Sequence, residues 1–177
     1  AKAFNAAVTI VYVGEKISAF STSGVHLAQE NLENWELDRQ GVDVLAWAFK
    51  YLADNGYLST GSAGEGFNIG KLVQTDEDRC EVYLEGNHTQ EVGLILRNGD
   101  IIQQLRDEVN KRAFDITIIG ASKKRSMAHD LIQYIDSSIF VVKNYQPDGQ
   151  YKMLLAVNYA PNTRKAVKYG ARVAQAF

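Results

Sequence analysis

The residues best placed to do chemistry are Gly120 and the run Lys123-Lys124-Arg125-Ser126 that follows it. Three cations and a hydroxyl beside a helix start can hold an anion, because the first free N–H groups of a helix add partial positive charge. The other reading of the run is a solvated basic loop. Asn158 and Tyr159 form a second pair. They could read a base or a ribose, or serve only to shape the turn before Pro161 opens a helix. The glycines of Ser59–Gly66 invite a phosphate-loop reading that fails on detail. Leu72 follows Gly70-Lys71 where Ser or Thr is required, and Glu65 stands where the first glycine belongs. Arg164, Lys165, Lys168 and Arg172 read as a wet helix face. His26, His88 and His129 lie in unrelated segments without metal-ligand spacing. His129 and Asp130 are adjacent, so on a helix they diverge by about 100° and form no compact dyad. With no Ser-His-Asp set or paired carboxylates in view, the residues favour binding over catalysis.

Something must position these groups. A chain of 177 residues can fill one core, and halving it would leave each part marginal. With 46% hydrophobic and 23% charged residues and a net charge of −2, no global field draws it to nucleic acid or an anionic membrane. The single cysteine, Cys80, permits no intrachain disulfide and favours a reducing, cytoplasmic compartment. No apolar run approaches the roughly 20 residues of a membrane span. The start, Ala1-Lys2-Ala3-Phe4-Asn5, is not a signal peptide and lacks an initiator Met, which reads as processing or excision from a longer protein.

Ala7–Val13 is an unbroken β-branched run ending at Gly14, as in a strand buried on both faces of a parallel sheet. A helix is expected from about Trp35 to Asp54, with Val42, Leu45, Phe49 and Leu52 inward and Asn55-Gly56 as its stop. Ser59–Gly66 reads as a flexible loop. Phe67–Gln74 and Cys80–Leu84 read as an inserted hairpin. Strands are then expected at Glu91–Leu96, Phe114–Gly120, Ile139–Val142 and Met153–Val157. Between them come helices carrying Ile101, Leu105 and Val109, then Met127, Leu131 and Ile135, and last Ala166, Gly170, Val173 and Phe177. Strands alternating with helices predict an α/β fold, a doubly wound open parallel sheet of Rossmann-like type. It would have five core strands and an inserted hairpin near residues 58–90.

Three passages resemble segments of the universal stress protein family. Arg97-Asn98-Gly99-Asp100 opening a helix resembles the turn after that family's third strand, and Phe114–Gly120 resembles the fourth strand. Ser137–Lys143 resembles the fifth, dimer-forming strand. Lys152–Asn158, with the helix to Phe177, resembles the family's opening strand and first helix. The order is displaced: residues 1–150 form a core lacking its opening strand and helix, and residues 151–177 supply them, to the same sheet or to a partner chain's. In the family's sheet the opening strand lies two positions from the fifth, roughly 17 Å back along the strand and 10 Å sideways. Tyr145–Gln150 reaches about 20 Å fully extended, which favours a domain-swapped homodimer.

Ligands of such sheets bind beyond the carboxyl ends of the strands where their order reverses. The resemblance therefore implies an adenine-nucleotide crevice lined by Val13, Asn158, Tyr159 and Gly120–Ser126. ATP-binding members carry Gly, two residues, Gly, nine residues, then Gly-Ser/Thr after the fourth strand, so that backbone amides close on phosphates. Gly120 matches the first position. Lys123 replaces the second glycine, Gln133 the third and Tyr134 the hydroxyl residue, while Asn158 replaces an acidic residue. The reading is a regulatory or stress-response module with a degenerate ATP motif, binding ATP, another adenine nucleotide or a related anion weakly. Two alternatives stand beside it. One is a non-binding dimerisation domain of a longer protein, a tandem stress protein or a transporter. The other is a nucleotide hydrolase, disfavoured because no acidic metal ligand stands at the switch point.

Overall fold

A computed structural model of the chain describes residues 6–14, 39–87, 91–120, 126–143, 146 and 152–176. The expected helix start at Trp35, His26, His88 and the Lys123–Arg125 run fall outside the described residues.

The larger sheet is mixed and four-stranded. β1 (Val8–Gly14) lies parallel to β4 (Glu91–Asn98), with Val8 opposite Val92 and Gly14 opposite Asn98. β3 (Arg79–Glu85) pairs antiparallel with β4, and β2 (Val73–Asp76) with β3, giving the order β1-β4-β3-β2. The hairpin forms as the sequence predicts, but it is no insertion. Cys80, Val82 and Leu84 oppose Leu96, Leu94 and Val92, so their apolar sides join the core and extend the sheet.

Helix α1 (Arg39–Asp54) covers one face. Its Leu45, Phe49 and Leu52 are buried against Val92, Leu94 and Leu96, with Ile10 and Tyr12 packed alongside. Gly41 permits the approach, since a Cβ there would meet Leu96 Cδ1 at 2.4 Å and Tyr12 Cδ1 at 2.7 Å. The segment expected to be a loop contains helix α2 (Thr60–Glu65) instead. Ser59 caps it by accepting a hydrogen bond from the Ser62 amide at 3.2 Å, so a local cap overrides a glycine-rich composition. A short 3₁₀ turn, Ile69–Lys71, leads into β2, so the expected first hairpin strand begins at Val73.

Helix α3 (Ile101–Arg112) opens as expected at Asp100, whose carboxylate accepts from the Gln103 amide at 2.9 Å. It covers the opposite face and leads to a second sheet, β5 (Ile116–Gly120) paired parallel with β6 (Ser138–Val142) across helix α4 (Ser126–Tyr134). Val109, Leu131 and Ile135 form a smaller core there, with Leu105, Phe114, Ile119 and Ile139 around it.

The fold is thus mixed α/β, and the single five-stranded parallel sheet is corrected to two sheets. The cause is Met153–Val157, which forms no strand in this chain. Helix α5 (Thr163–Ala176) follows it. With no strand between β1 and β5 among the described residues, the two sheets are separate and β1 is only half-buried along most of its length.

Candidate functional site

The two sheets leave a cleft of about 310 Å³ between them. β1 walls one side with Thr9, Val11 and Val13, β5 walls the other along Ile116–Gly120, and α3 contributes Leu105 and Glu108. Strand alternation explains the first wall: Ile10 and Tyr12 turn to the α1 core, so the odd-numbered residues face the other way. Val13 and Gly120 stand at the carboxyl ends of their strands, the end at which open α/β sheets present ligands. Beyond Val13, the Gly99 amide donates to the Gly14 carbonyl at 2.9 Å and ties the end of β1 to the turn that opens α3.

A buried ionic network holds α3 against the sheet beside this cleft. Arg79 and Glu108 are 2% and 1% exposed. Arg79 Nε donates to Glu108 Oε1 at 2.5 Å, and Arg97 Nη1 donates to the same oxygen at 2.8 Å. Arg79 also reaches Thr75 Oγ1 at 2.7 Å and Glu81 Oε2 at 2.6 Å. Gln104 Nε2 donates to Asp78 Oδ2 at 2.7 Å, and Arg97 lies 3.5 Å from the other Asp78 oxygen. Burial lowers the proton affinity of Arg79, but its bonds to Glu81 and Glu108 outweigh that and hold its pKa above the ordinary value. The Arg79 hydrogen bond holds the Glu81 carboxyl below its usual range. Burial, and then the bond to Glu81, pushes the Tyr83 phenol up. Glu108 also lines the cleft, but the two arginines neutralise its charge, so the part this network plays is to position α3.

The sequence-predicted site residues divide. Val13 and Gly120 come together on the cleft walls. Ser126 begins α4, directly after the basic run. Gln133 and Tyr134 lie exposed at the far end of α4, about 10 Å along its axis from Ser126, and line no part of the cleft. Asn158 accepts from the Ala160 amide at 2.9 Å and from Thr163 Oγ1 at 2.8 Å, which makes it a turn former at the start of α5. Tyr159 is fully exposed, and neither residue lines the cleft in this chain. His129 Nδ1 lies 3.7 Å from Asp130 Oδ1 with both groups exposed, too far for a hydrogen bond. Among the described residues, no group of His, Cys, Asp and Glu could hold a metal ion. No helix among them is long and apolar enough to cross a membrane.

The ionic network was missed in the sequence, although a signal for it exists. Residues 101, 104, 105, 108 and 109 share the inward face of α3, and Gln104 and Glu108 are polar residues on that stripe. A buried carboxylate needs a cation, and Arg79 and Arg97, each next to an expected strand run, are the matching pair.

No family model, curated protein or solved structure matches this chain.

Proposed function

We propose that the chain is a non-enzymatic regulatory module of the universal stress protein kind, dimeric and cytoplasmic, that weakly binds a nucleotide or related anion at the carboxyl end of the cleft. One observation carries the reading: Val13 and Gly120, far apart in sequence, share that cleft, and Lys123-Lys124-Arg125 follows Gly120 within three residues. Cations at the carboxyl end of a parallel strand, just before a helix N-terminus, suit a phosphate or a carboxylate. The glycine pattern for backbone-amide binding is broken at Lys123, Gln133 and Tyr134. Contact with the anion therefore falls to side-chain charge, which fits weak binding.

The test is a thermal-shift panel of ATP, ADP, AMP, cyclic nucleotides and inorganic phosphate, with and without Mg²⁺, on wild type and Lys123→Ala. A ligand at 100 times its Kd stabilises the folded state by about 2.7 kcal/mol, worth roughly 5–10 °C in Tm for a chain of this size. A nucleotide-specific rise that shrinks in Lys123→Ala is the expected result. No rise with any compound overturns the binding reading, and Mg²⁺-dependent phosphate release replaces it with a hydrolase.

A further inference from the structure

β1 is paired on one edge only, with β4, and β5 on one edge only, with β6, among the described residues. The two unpaired edges face each other across the 310 Å³ cleft, and α3 lies over one side of it. β4 and β5 are joined through helix α3, the kind of connection that parallel strands require, and β1 is itself parallel to β4. The cleft thus has the form of a slot for one more parallel strand, with ladder groups available on both sides. The neighbouring face of β5 is bare: Ile118, in mid-strand, is 69% exposed.

The C-terminal unit has the complementary defect. Met153-Leu154-Leu155-Ala156-Val157 has the composition of a central strand, yet it joins neither sheet and Leu154 is 91% exposed. Its helix is already in place. A Cβ at Gly170 would lie 2.2 Å from Leu155 Cδ2, so segment and α5 pack as a strand–helix pair that only glycine allows. Val167 on that helix remains exposed. The pair does not sit at the slot in its own chain. It rests at the amino ends of the strands: Met153–Leu155 share a cleft of about 1060 Å³ with Asp115 and Ser138, and Lys168 and Arg172 of α5 share another of about 1030 Å³ with Thr9 of β1 and Ile116 of β5.

We infer that the slot between β1 and β5 receives the Lys152–Ala176 unit of a second copy of this chain, in a reciprocal two-fold exchange. Each copy has one slot and one unplaced unit, so the exchange closes as a dimer. The incoming strand joins the two sheets into one, and the incoming helix covers Ile118. The exchange also brings Asn158 and Tyr159 of the partner subunit to the carboxyl end of the cleft, beside Val13 and Gly120. The inference deepens the dimeric reading above, but it needs no ligand, so it stands or falls apart from nucleotide binding.

The test uses full-length chain with Cys80→Ser. One preparation carries Val11→Cys and another Leu154→Cys. The two are unfolded together, refolded, and treated with a short bismaleimide. The expected result is a dimer by sedimentation and a cross-linked product of twice the chain mass from the mixture, absent from either preparation alone. Ile118→Cys serves as the slot reporter if Val11→Cys fails to fold. Sedimentation as a 19.7 kDa monomer overturns the inference. So does a doubly substituted chain that cross-links only within itself, which would mean that the unit closes its own slot. A dimer whose mixture yields no cross-link also overturns it, because the copies then meet through another face.

Discussion

β4 and β5 are both apolar strands in the same chain, and they are finished to very different degrees. β4 is flanked by β1 and β3, covered by α1 on one face and α3 on the other, and Leu94 at its centre has no exposure at all. Among the described residues β5 has one neighbour and one covered face, and Ile118 is largely exposed. Sequence composition does not separate them: Val92–Leu96 and Ile116–Ile119 are similar runs. The difference lies in which partners reach them. A strand with two neighbours and two covering helices converts its side chains into stability. A strand lacking one of each leaves the same side chains in water, and under the exchange inferred above they are held in reserve for an interface.

Helix α3 is common to both regions, so its anchor is the place to break the comparison hardest. Glu108→Ala leaves Arg79 and Arg97 buried without their shared carboxylate, a change expected to cost about 3–5 kcal/mol. Urea denaturation followed by circular dichroism should show a lower midpoint or outright failure to fold. A loss below about 1 kcal/mol would mean that the contacts Arg79 and Arg97 already make to Glu81 and Asp78 suffice and that the anchor is redundant. The next largest effect belongs to the finished strand itself. Leu94→Ala removes a fully buried side chain from the α1 core and should cost about 2–5 kcal/mol in the same assay. A cost under 1 kcal/mol would show that this core is loosely packed, and the contrast with β5 would collapse.

How much of this was legible beforehand follows the same division. The helix faces of α1 and α3 could be read from period, because Leu45, Phe49 and Leu52, and likewise Leu105 and Val109, repeat at helical spacing against a sheet. The Asp100 cap could be read from residue type. Pairing partners could not. Nothing local in Arg79–Glu85 says that it adds to β4 instead of standing off as a hairpin, since register is fixed by contacts across the chain. Met153–Val157 has strand composition, but a strand exists only when an edge is within reach, and no edge meets it in this chain. The site was legible in the same uneven way. Val13 and Gly120 follow from strand ends. Asn158 and Tyr159 were assigned to the crevice only by assuming that the C-terminal strand fills the sheet, and they stay away from it here.

The smallest expected effect is also the sharpest. Ile118→Ser changes a residue that is mostly in water, and exposed substitutions away from special features usually fall within about 0.5 kcal/mol. If β5 stays uncovered, the unfolding midpoint should match wild type at every protein concentration. If a second copy's helix covers it, the substitution removes apolar surface from an interface, and the penalty should appear only where the chain is dimeric. Denaturation curves at two protein concentrations spanning the monomer–dimer transition separate these cases. We expect overlap with wild type at the lower concentration and a lowered midpoint at the higher one. A penalty equal at both would place Ile118 in the chain's own core. No penalty at either would leave β5 with an open face that nothing covers, and the reserve attributed to it would be only an unprotected edge.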